Sequence, residues 1–198
     1  GLFWAMLAAY LFLSFSSNPP NGFTGAPPTF NTCSSANGGC HSGGTGMGNV
    51  MISGLPVSIM PNTTYPITVT VTRTNAVPQL AGFQMVALDA SNNNVGTLSN
   101  PGPGSTIQTS GGRTYHEHNP AQPYTNNMAT FTVDWTSPSS GNGTITMYAA
   151  ANLANGNGGT SGDAIVTTTS SGNFMGGGGP ITVVVTGTNV SCFGGSNG

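Results

Sequence analysis

A two-residue alternation of apolar and hydroxyl side chains recurs along the chain after about residue 50. In residues 65–72, for example, Tyr, Ile and Val alternate with Thr. Such alternation is typical of half-buried β-strands, because successive side chains point to opposite faces of a sheet. The same kind of segment is present at residues 83–87, 130–135, 145–149, 164–169 and 181–185. Gly, Asn and Pro separate these segments, and no convincing helical period follows residue 50, so the pattern predicts turns between short strands.

The pattern therefore predicts an all-β protein, an immunoglobulin-like antiparallel β-sandwich over residues 50–188. An apolar N-terminal segment, residues 1–17, precedes it and is followed by a Gly/Pro-rich, cysteine-containing loop at residues 18–49. Residues 189–198 form a short, flexible tail in this prediction.

Charge is nearly absent from the chain, which restricts the possible functions. Six of the 198 residues are charged and none is lysine, whereas about 25% is usual for a soluble domain. With a net charge of −2 the chain has no basic footprint for nucleic acid or an anionic membrane. A surface of Thr, Ser, Asn and Gly favours an extracellular protein that packs against copies of itself.

The N-terminal segment predicts export. Residues 2–15 are almost continuously apolar, which is shorter than the roughly 20 residues that span a bilayer and typical of the apolar part of a signal peptide. Two interpretations remain open: a residual export signal, or a retained apolar helix that is buried in a filament core. Both place the protein outside the cytoplasm, with the membrane contacted only through this segment.

Several motifs in a common order resemble reelin-like domains, which bacterial surface proteins carry as the choice-of-anchor V type. The residues that carry the resemblance are GFQMVALDA at 82–90, GRTYHEH at 112–118, FTVDWTSP at 131–138, MYAAANLANGNG at 147–158 and SGD at 161–163, together with the leader from Pro19 to His41. The resemblance covers roughly residues 16–188. It implies an immunoglobulin-like sandwich on exported, often cell-surface proteins of Bacteroidota-like bacteria, and it does not imply an enzyme.

The leader of that family has a C-x-x-C-H motif, from which this chain departs. Six residues rather than two separate Cys33 from Cys40, and His41 follows directly. C-x-x-C-H is the attachment signature of c-type haem, in which both thiols bond the haem and the adjacent His ligates its iron. We expect the longer spacing to loop out in a Gly-rich turn, so that both thiols still reach one haem.

The remaining histidines supply candidates for a second axial ligand. The family pattern places a His at position 118, so the resemblance implies His118 as the distal ligand. His116 lies two residues earlier, shares a strand face in this prediction, and is a substitute ligand. A bis-His haem c held by Cys33, Cys40, His41 and His118 would suit electron transfer rather than oxygen chemistry.

Two other uses of these residues remain open at this point. A disulfide between Cys33 and Cys40 would close a short loop and stabilise the fold by about 2–3 kcal/mol, and exported proteins favour such bonds. Pairing of either cysteine with Cys192 is equally compatible with the sequence. A mononuclear zinc or copper site formed by His41, His116 and His118 is the third use.

The charged residues fit structural roles better than catalytic ones. Asp89, Asp134 and Asp163 are far apart in sequence, which favours turn or capping roles over a calcium site. Arg113 and Glu117 are expected to form a local ion pair. A nucleophile elbow, a P-loop and a dinucleotide fingerprint are absent from the sequence, so we predict that the protein is not an enzyme.

Together these observations predict an extracellular or cell-surface protein that assembles with itself into a filament and carries a c-type haem for electron transfer. The alternative is a structural or adhesive surface protein with a disulfide and no cofactor. A glycan-binding module is a third class, disfavoured because most aromatic residues fall on predicted core faces.

Overall fold

The computed structural model describes residues 18–141 and 143–175, in which the chain forms a sandwich of two β-sheets. The strands are β1 Ser42–Gly43, β2 Gly48–Ser53, β3 Ser58–Ile59, β4 Thr64–Arg73, β5 Leu80–Leu88, β6 Thr97–Ser99, β7 Ser105–Ser110, β8 Arg113–His118, β9 Gln122–Pro123, β10 Met128–Thr136, β11 Thr144–Ala154 and β12 Ser161–Phe174. A 3₁₀ turn spans Ser35–Asn37. The predicted all-β sandwich is confirmed.

The larger, eight-stranded sheet has the order β1-β12-β11-β5-β8-β7, with β3 beside β12 and β9 beside β5. The smaller sheet has the order β2-β4-β10-β6. The long strands pair antiparallel, whereas the two-residue strands β1 and β3 run parallel to β12.

The core lies between the two sheets and follows the predicted alternation. Val69 and Phe131 are register partners across β4 and β10, and both are fully buried. Trp135, four residues farther along β10 than Phe131, is also fully buried and donates its indole N–H to the carbonyl oxygen of Val95 at 3.0 Å. Each such side chain contributes about 1.5–3 kcal/mol on burial. The apolar residues of the alternating segments therefore hold the sheets together, as the sequence predicts.

The loop that precedes β1 covers the outer face of the larger sheet. Ala26 packs there with Val86, Leu88 and Tyr115 in a second, smaller apolar cluster. The guanidinium of Arg113 donates to the carbonyl oxygens of Pro27, at 2.7 Å, and Asn92, at 3.0 Å. The loop is thus fastened to the sheet by apolar contacts and by the hydrogen bond from Arg113 to the Pro27 carbonyl.

This arrangement corrects the expected Arg113–Glu117 ion pair. Arg113 binds backbone carbonyls, whereas Glu117 accepts a hydrogen bond from Gln84. The two side chains are four residues apart on an extended strand, which separates them by more than 10 Å. Among the described residues, a histidine–carboxylate contact joins His41 and Asp163 instead, with 2.7 Å between Nδ1 and Oδ2.

Asp89 has a turn role of the predicted kind, whereas Asp134 only accepts a hydrogen bond from another side chain. Asp89 Oδ1 accepts hydrogen bonds from the backbone N–H groups of Ser91, at 2.8 Å, and Asn93, at 2.9 Å. These bonds, led by the one from Asn93, lower the pKa of Asp89. Asp134 Oδ2 accepts from the side-chain amide of Asn100 at 2.8 Å.

Several predicted segments lie outside the described residues: the apolar segment 1–17, the strand at residues 181–185, and the tail with Cys192. Within residues 18–141 and 143–175, none of the helical segments has the length and apolar character that crossing a bilayer requires.

Candidate functional site

The six residues between Cys33 and Cys40 fold into a compact turn. The Ser34 hydroxyl caps the 3₁₀ turn by accepting from the Ala36 N–H at 3.3 Å, and Gly38 ends the turn in the left-handed region with φ 81°. The Gly39 N–H then donates to the Ser34 carbonyl at 2.8 Å, and the His41 N–H donates to the Cys33 carbonyl at 2.8 Å. The turn therefore loops out the extra residues and brings the backbone of Cys33 beside that of Cys40 and His41.

Gly39 is where this closure is tightest. A Cβ atom at this position would lie 2.3 Å from both the carbonyl carbon and the carbonyl oxygen of Cys33. Real Cβ atoms do not approach backbone atoms so closely, so only glycine lets the two cysteine segments pack against each other here.

A cavity of about 510 Å³ lies on the outer face of the larger sheet, under this turn. Its floor includes Gly82 of β5 and Asn152 of β11, which are register partners. The floor is low because Gly82 has no side chain and Ala150, next along the same face of β11, has only a methyl group. The cavity is lined by Asn18, Pro19, Pro20, Phe23, Cys33, Gly39, Cys40, His41, Leu80, Gly82, Phe83, His118, Ala121, Ala150, Asn152, Ala154, Gly156, Asn157, Gly158, Gly159 and Asp163.

All four predicted haem-binding residues line this one cavity: Cys33, Cys40, His41 and His118. Cys33 and His41 come from the compact turn, and His118 comes from the end of β8. These residues lie up to 85 positions apart in the sequence, so the sandwich fold, rather than local sequence, brings them together.

His118 is positioned against β5. Its Nδ1 atom lies 2.9 Å from the backbone nitrogen and 3.0 Å from the backbone oxygen of Phe83. A Cβ atom at Gly82 would lie 2.8 Å from the ring carbon Cε1 of His118. Because Gly82 has no side chain, the imidazole of His118 fits into the space beside it.

His116 occupies a different environment and does not line the cavity. It is fully buried in the sandwich, edge-on to Phe83 with 4.8 Å between ring centroids, and its Nε2 lies 2.9 Å from the hydroxyl of Ser105. Burial lowers the pKa of His116 to about 3, so its ring is neutral. The described residues include no group of three or more His, Cys, Asp or Glu side chains that could hold a metal ion. The fold therefore does not bring His41, His116 and His118 together.

Both thiols are free, with Cys33 half-buried and Cys40 exposed. Burial is the largest cause that raises the pKa of Cys33 to about 11, and the neighbouring Cys40 raises it further. Cys33 is consequently a protonated thiol at neutral pH.

His41 is held by a carboxylate beneath it. Its Nδ1 lies 2.7 Å from Oδ2 of Asp163, whose side chain is 2% exposed. Burial by itself raises the pKa of Asp163, but hydrogen bonds from His41, from the backbone N–H of Asn155 and from Asn152 outweigh it and lower the pKa overall. Asp163 is therefore ionised at neutral pH.

The segment Asn18–Phe23 roofs the cavity and is fastened by Gln84 of β5. The Gln84 side-chain oxygen accepts from the N–H groups of Gly22, at 3.0 Å, and Phe23, at 2.9 Å. Its amide nitrogen donates to the Pro20 carbonyl at 3.1 Å and to Oε2 of the buried Glu117 at 2.7 Å. Burial, the largest cause, raises the pKa of Glu117, while hydrogen bonds from Gln84 and Asn18 oppose the rise.

Sequence reasoning missed four contributors to the site: Gly82, Gln84, Asn152 and the link from Asp163 to His41. The sequence offered a signal for two of the strand residues. Gly82 is a glycine inside an apolar strand, which indicates a close approach to the sheet face, and Gln84 is an amide inside the same apolar segment. No local pattern connects Asp163 with His41, which lies 122 positions away.

Comparison with known proteins gives a likeness of fold. No protein-family model matches the chain, and no curated protein matches it in sequence. The Reelin-N domain of F-spondin superposes with a TM-score of 0.48 at 17% identity, over 68% of this chain and 90% of that one. The human F-spondin reeler domain gives 0.45 at 16% identity, over 68% and 93%. A cohesin module from a Clostridium perfringens family 33 glycoside hydrolase gives 0.49 at 7% identity, over 66% and 98%.

Proposed function

We propose that this protein is an exported, self-assembling surface subunit that carries a covalently attached c-type haem for electron transfer. The observation that supports the haem is that Cys33, Cys40, His41 and His118 line one and the same cavity. The apolar N-terminal segment and the uncharged surface support export and self-assembly.

The residues of the cavity fit such a group. Two thiols and two imidazoles are the ligand set of a bis-His c-type haem, and the cavity volume of about 510 Å³ lies within the 300–1,000 Å³ usual for cofactor sites. The small side chain of Ala150 in the floor leaves room for a flat group between the sheet and the compact turn. Asn152 Oδ1 is a buried acceptor without a hydrogen-bond partner. Such an unsatisfied acceptor is expected at a site that receives a further group.

The chain's own residues have defined tasks in this proposal. Cys33 and Cys40 would hold the haem through thioether bonds, each thiol adding its sulfur and its proton to one vinyl group so that nothing leaves. His41 and His118 would hold the iron. A bis-imidazole haem supplies reversible one-electron exchange without a ligand change.

The haem proposal predicts a covalent adduct that depends on two cysteines. Exported with c-type haem maturation, the wild-type chain is expected to gain the mass of one haem and to show a low-spin Soret band. The double variant C33A/C40A should lose the adduct, whereas C192A, the matched control, should keep it. H118A should keep the mass but lose the low-spin spectrum, because the thioethers do not depend on the second axial ligand.

A colourless wild-type protein would overturn this proposal. If its mass were also lower by two hydrogen atoms and the loss required both Cys33 and Cys40, the disulfide-stapled structural or adhesive protein would be the correct function. The adjacency of the two cysteine segments would then serve that bond.

Self-assembly predicts polymers that persist in salt. The outward face of the smaller sheet has uncharged rows, such as Thr70 beside Thr130 of β10 and Met51 of β2. We expect the purified full chain to form filaments by electron microscopy and to sediment as polymers. Because so few charges are present, shortening the screening length from about 10 Å to about 3 Å with salt should leave them intact. A monodisperse monomer at all concentrations would contradict the filament proposal.

A further inference from the structure

Asp163 is a buried carboxylate whose hydrogen-bond partners all lie around His41. It lies near the start of β12, on the outward face at the cavity, and its side chain is 2% exposed. Oδ1 accepts from the backbone N–H of Asn155 at 2.8 Å, and Oδ2 lies 2.7 Å from Nδ1 of His41. Asn152 places its amide nitrogen 3.3 Å from the same Oδ2.

These contacts determine where the proton of His41 lies. An ionised carboxylate only accepts hydrogen bonds, so the proton in the 2.7 Å contact with Asp163 belongs to Nδ1 of His41. In a neutral imidazole the other nitrogen, Nε2, then carries a lone pair and no proton, which is the form that ligates a metal.

The amide of Asn152 agrees with this assignment. Its nitrogen lies 3.2 Å from Nδ1 of His41 and 3.3 Å from Oδ2 of Asp163. With Nδ1 already a donor, the amide N–H serves the carboxylate. The reversed amide would place its oxygen against the carboxylate oxygen, which is repulsive, so the orientation with the unpartnered Oδ1 is the one that the neighbours favour.

We propose that Asp163, steadied by Asn152 and by the Asn155 backbone, is the positioning residue that fixes His41 with its proton on Nδ1 and leaves Nε2 as the ligand nitrogen. Metal-bound histidines commonly have such a carboxylate partner, which orients the ring and makes it a stronger electron donor. The identity of the bound group rests on the proposed function, but the position of the proton is a property of this chain alone.

The isosteric variant Asp163→Asn tests the assignment sharply. The Asn155 N–H requires an acceptor at the Oδ1 position, so the new amide must keep its oxygen there and present its NH₂ group to His41. An NH₂ group donates, so Nδ1 must become the acceptor and the ring proton must move to Nε2. Asp163→Glu keeps a carboxylate, so it should keep the proton on Nδ1.

The readout is the ¹⁵N–¹H NMR signature of the His41 ring in full-length protein made without haem maturation, at a pH where the imidazole is neutral. We expect an Nδ1–H ring in the wild type and an Nε2–H ring in D163N. D134N is the matched control, because it removes the same charge from an aspartate on the other sheet and should leave an Nδ1–H ring. An Nε2–H ring in the wild type, or an Nδ1–H ring in D163N, would overturn the proposal.

A second readout uses the haem-loaded protein. D163N should retain the covalent mass through Cys33 and Cys40 but have a more positive reduction potential or a weaker low-spin band than D134N, because His41 becomes a poorer donor. If the wild type shows the Nδ1–H ring yet never acquires haem, the proposed function fails and the positioning role of Asp163 stands. If haem binds but D163N matches D134N in ring state, potential and spectrum, the positioning role fails alone.

Discussion

Replacing Gly39 with alanine should separate Cys33 from His41 and abolish double attachment of a haem. The new Cβ would lie 2.3 Å from the carbonyl group of Cys33, whose oxygen accepts the His41 N–H at 2.8 Å. Backbone atoms cannot move aside as the end of a flexible side chain can, so the turn must open. Such overpacking costs about 1–3 kcal/mol, and each 1.4 kcal/mol is a tenfold change, so the closed turn should become roughly five- to 140-fold less populated.

Gly159→Ala is the matched control for this change. Both glycines line the cavity and neither has a positive φ, but a Cβ at Gly159 would meet only the side-chain oxygen of Asn157, at an ordinary 3.5 Å. In the unloaded protein, maleimide labelling of the half-buried Cys33, followed by peptide mass, should accelerate at least about fivefold in G39A and stay unchanged in G159A. Labelling of Cys33 in G39A at the wild-type rate would show that the closure does not depend on Gly39.

The sequence predicts well those strands in which apolar and polar side chains alternate. Residues 65–72 and 130–135 alternate in a two-residue period, and they become β4 and β10, the register-paired centre of the smaller sheet. Strand β8 is not among the segments marked by alternation, because Arg113–His118 has no two-residue apolar period. It is buried on both faces, by the core on one side and by the loop before β1 on the other.

The residues of the candidate site also divide into those that the sequence predicts and those that it does not. The cysteines and His41 are adjacent in sequence, and His118 is implied by the family resemblance, so these four are predictable. Their supports are not, because Asp163 reaches His41 across 122 positions and the fit of His118 depends on the absence of a side chain at Gly82. Contacts of that kind are set by sheet register, which no local pattern encodes.

Replacing Gln84 with leucine should release the roof of the cavity and destabilise the fold. Gln84 is 1% exposed, and its amide makes four hydrogen bonds, two to N–H groups of the roof, one to the Pro20 carbonyl and one to Glu117. Leucine has a similar volume but can make none of them. Each buried partner left unsatisfied costs about 1–3 kcal/mol, and more for a charged group.

The roof can relieve most of this cost by detaching, because water then reaches the freed groups. We therefore expect a loss of about 2–4 kcal/mol in the free energy of unfolding rather than the full sum. Amide exchange should become fast in residues 18–25 while β4 and β10 stay protected. Denaturant unfolding and hydrogen exchange of the unloaded protein measure the two effects.

Gln79→Leu provides the comparison for Gln84→Leu. The Gln79 side chain donates only to the nearby carbonyls of Ala76 and Val77 at the surface, so its loss should cost little and leave the roof protected. If Q84L were as stable as Q79L, with unchanged exchange in residues 18–25, the roof would be held by its apolar contacts instead. Since Pro19, Pro20 and Phe23 of the roof line the cavity, release of the roof should also expose any bound haem to solvent, and this makes Gln84 the residue that joins the stability of the fold to the shielding of the site.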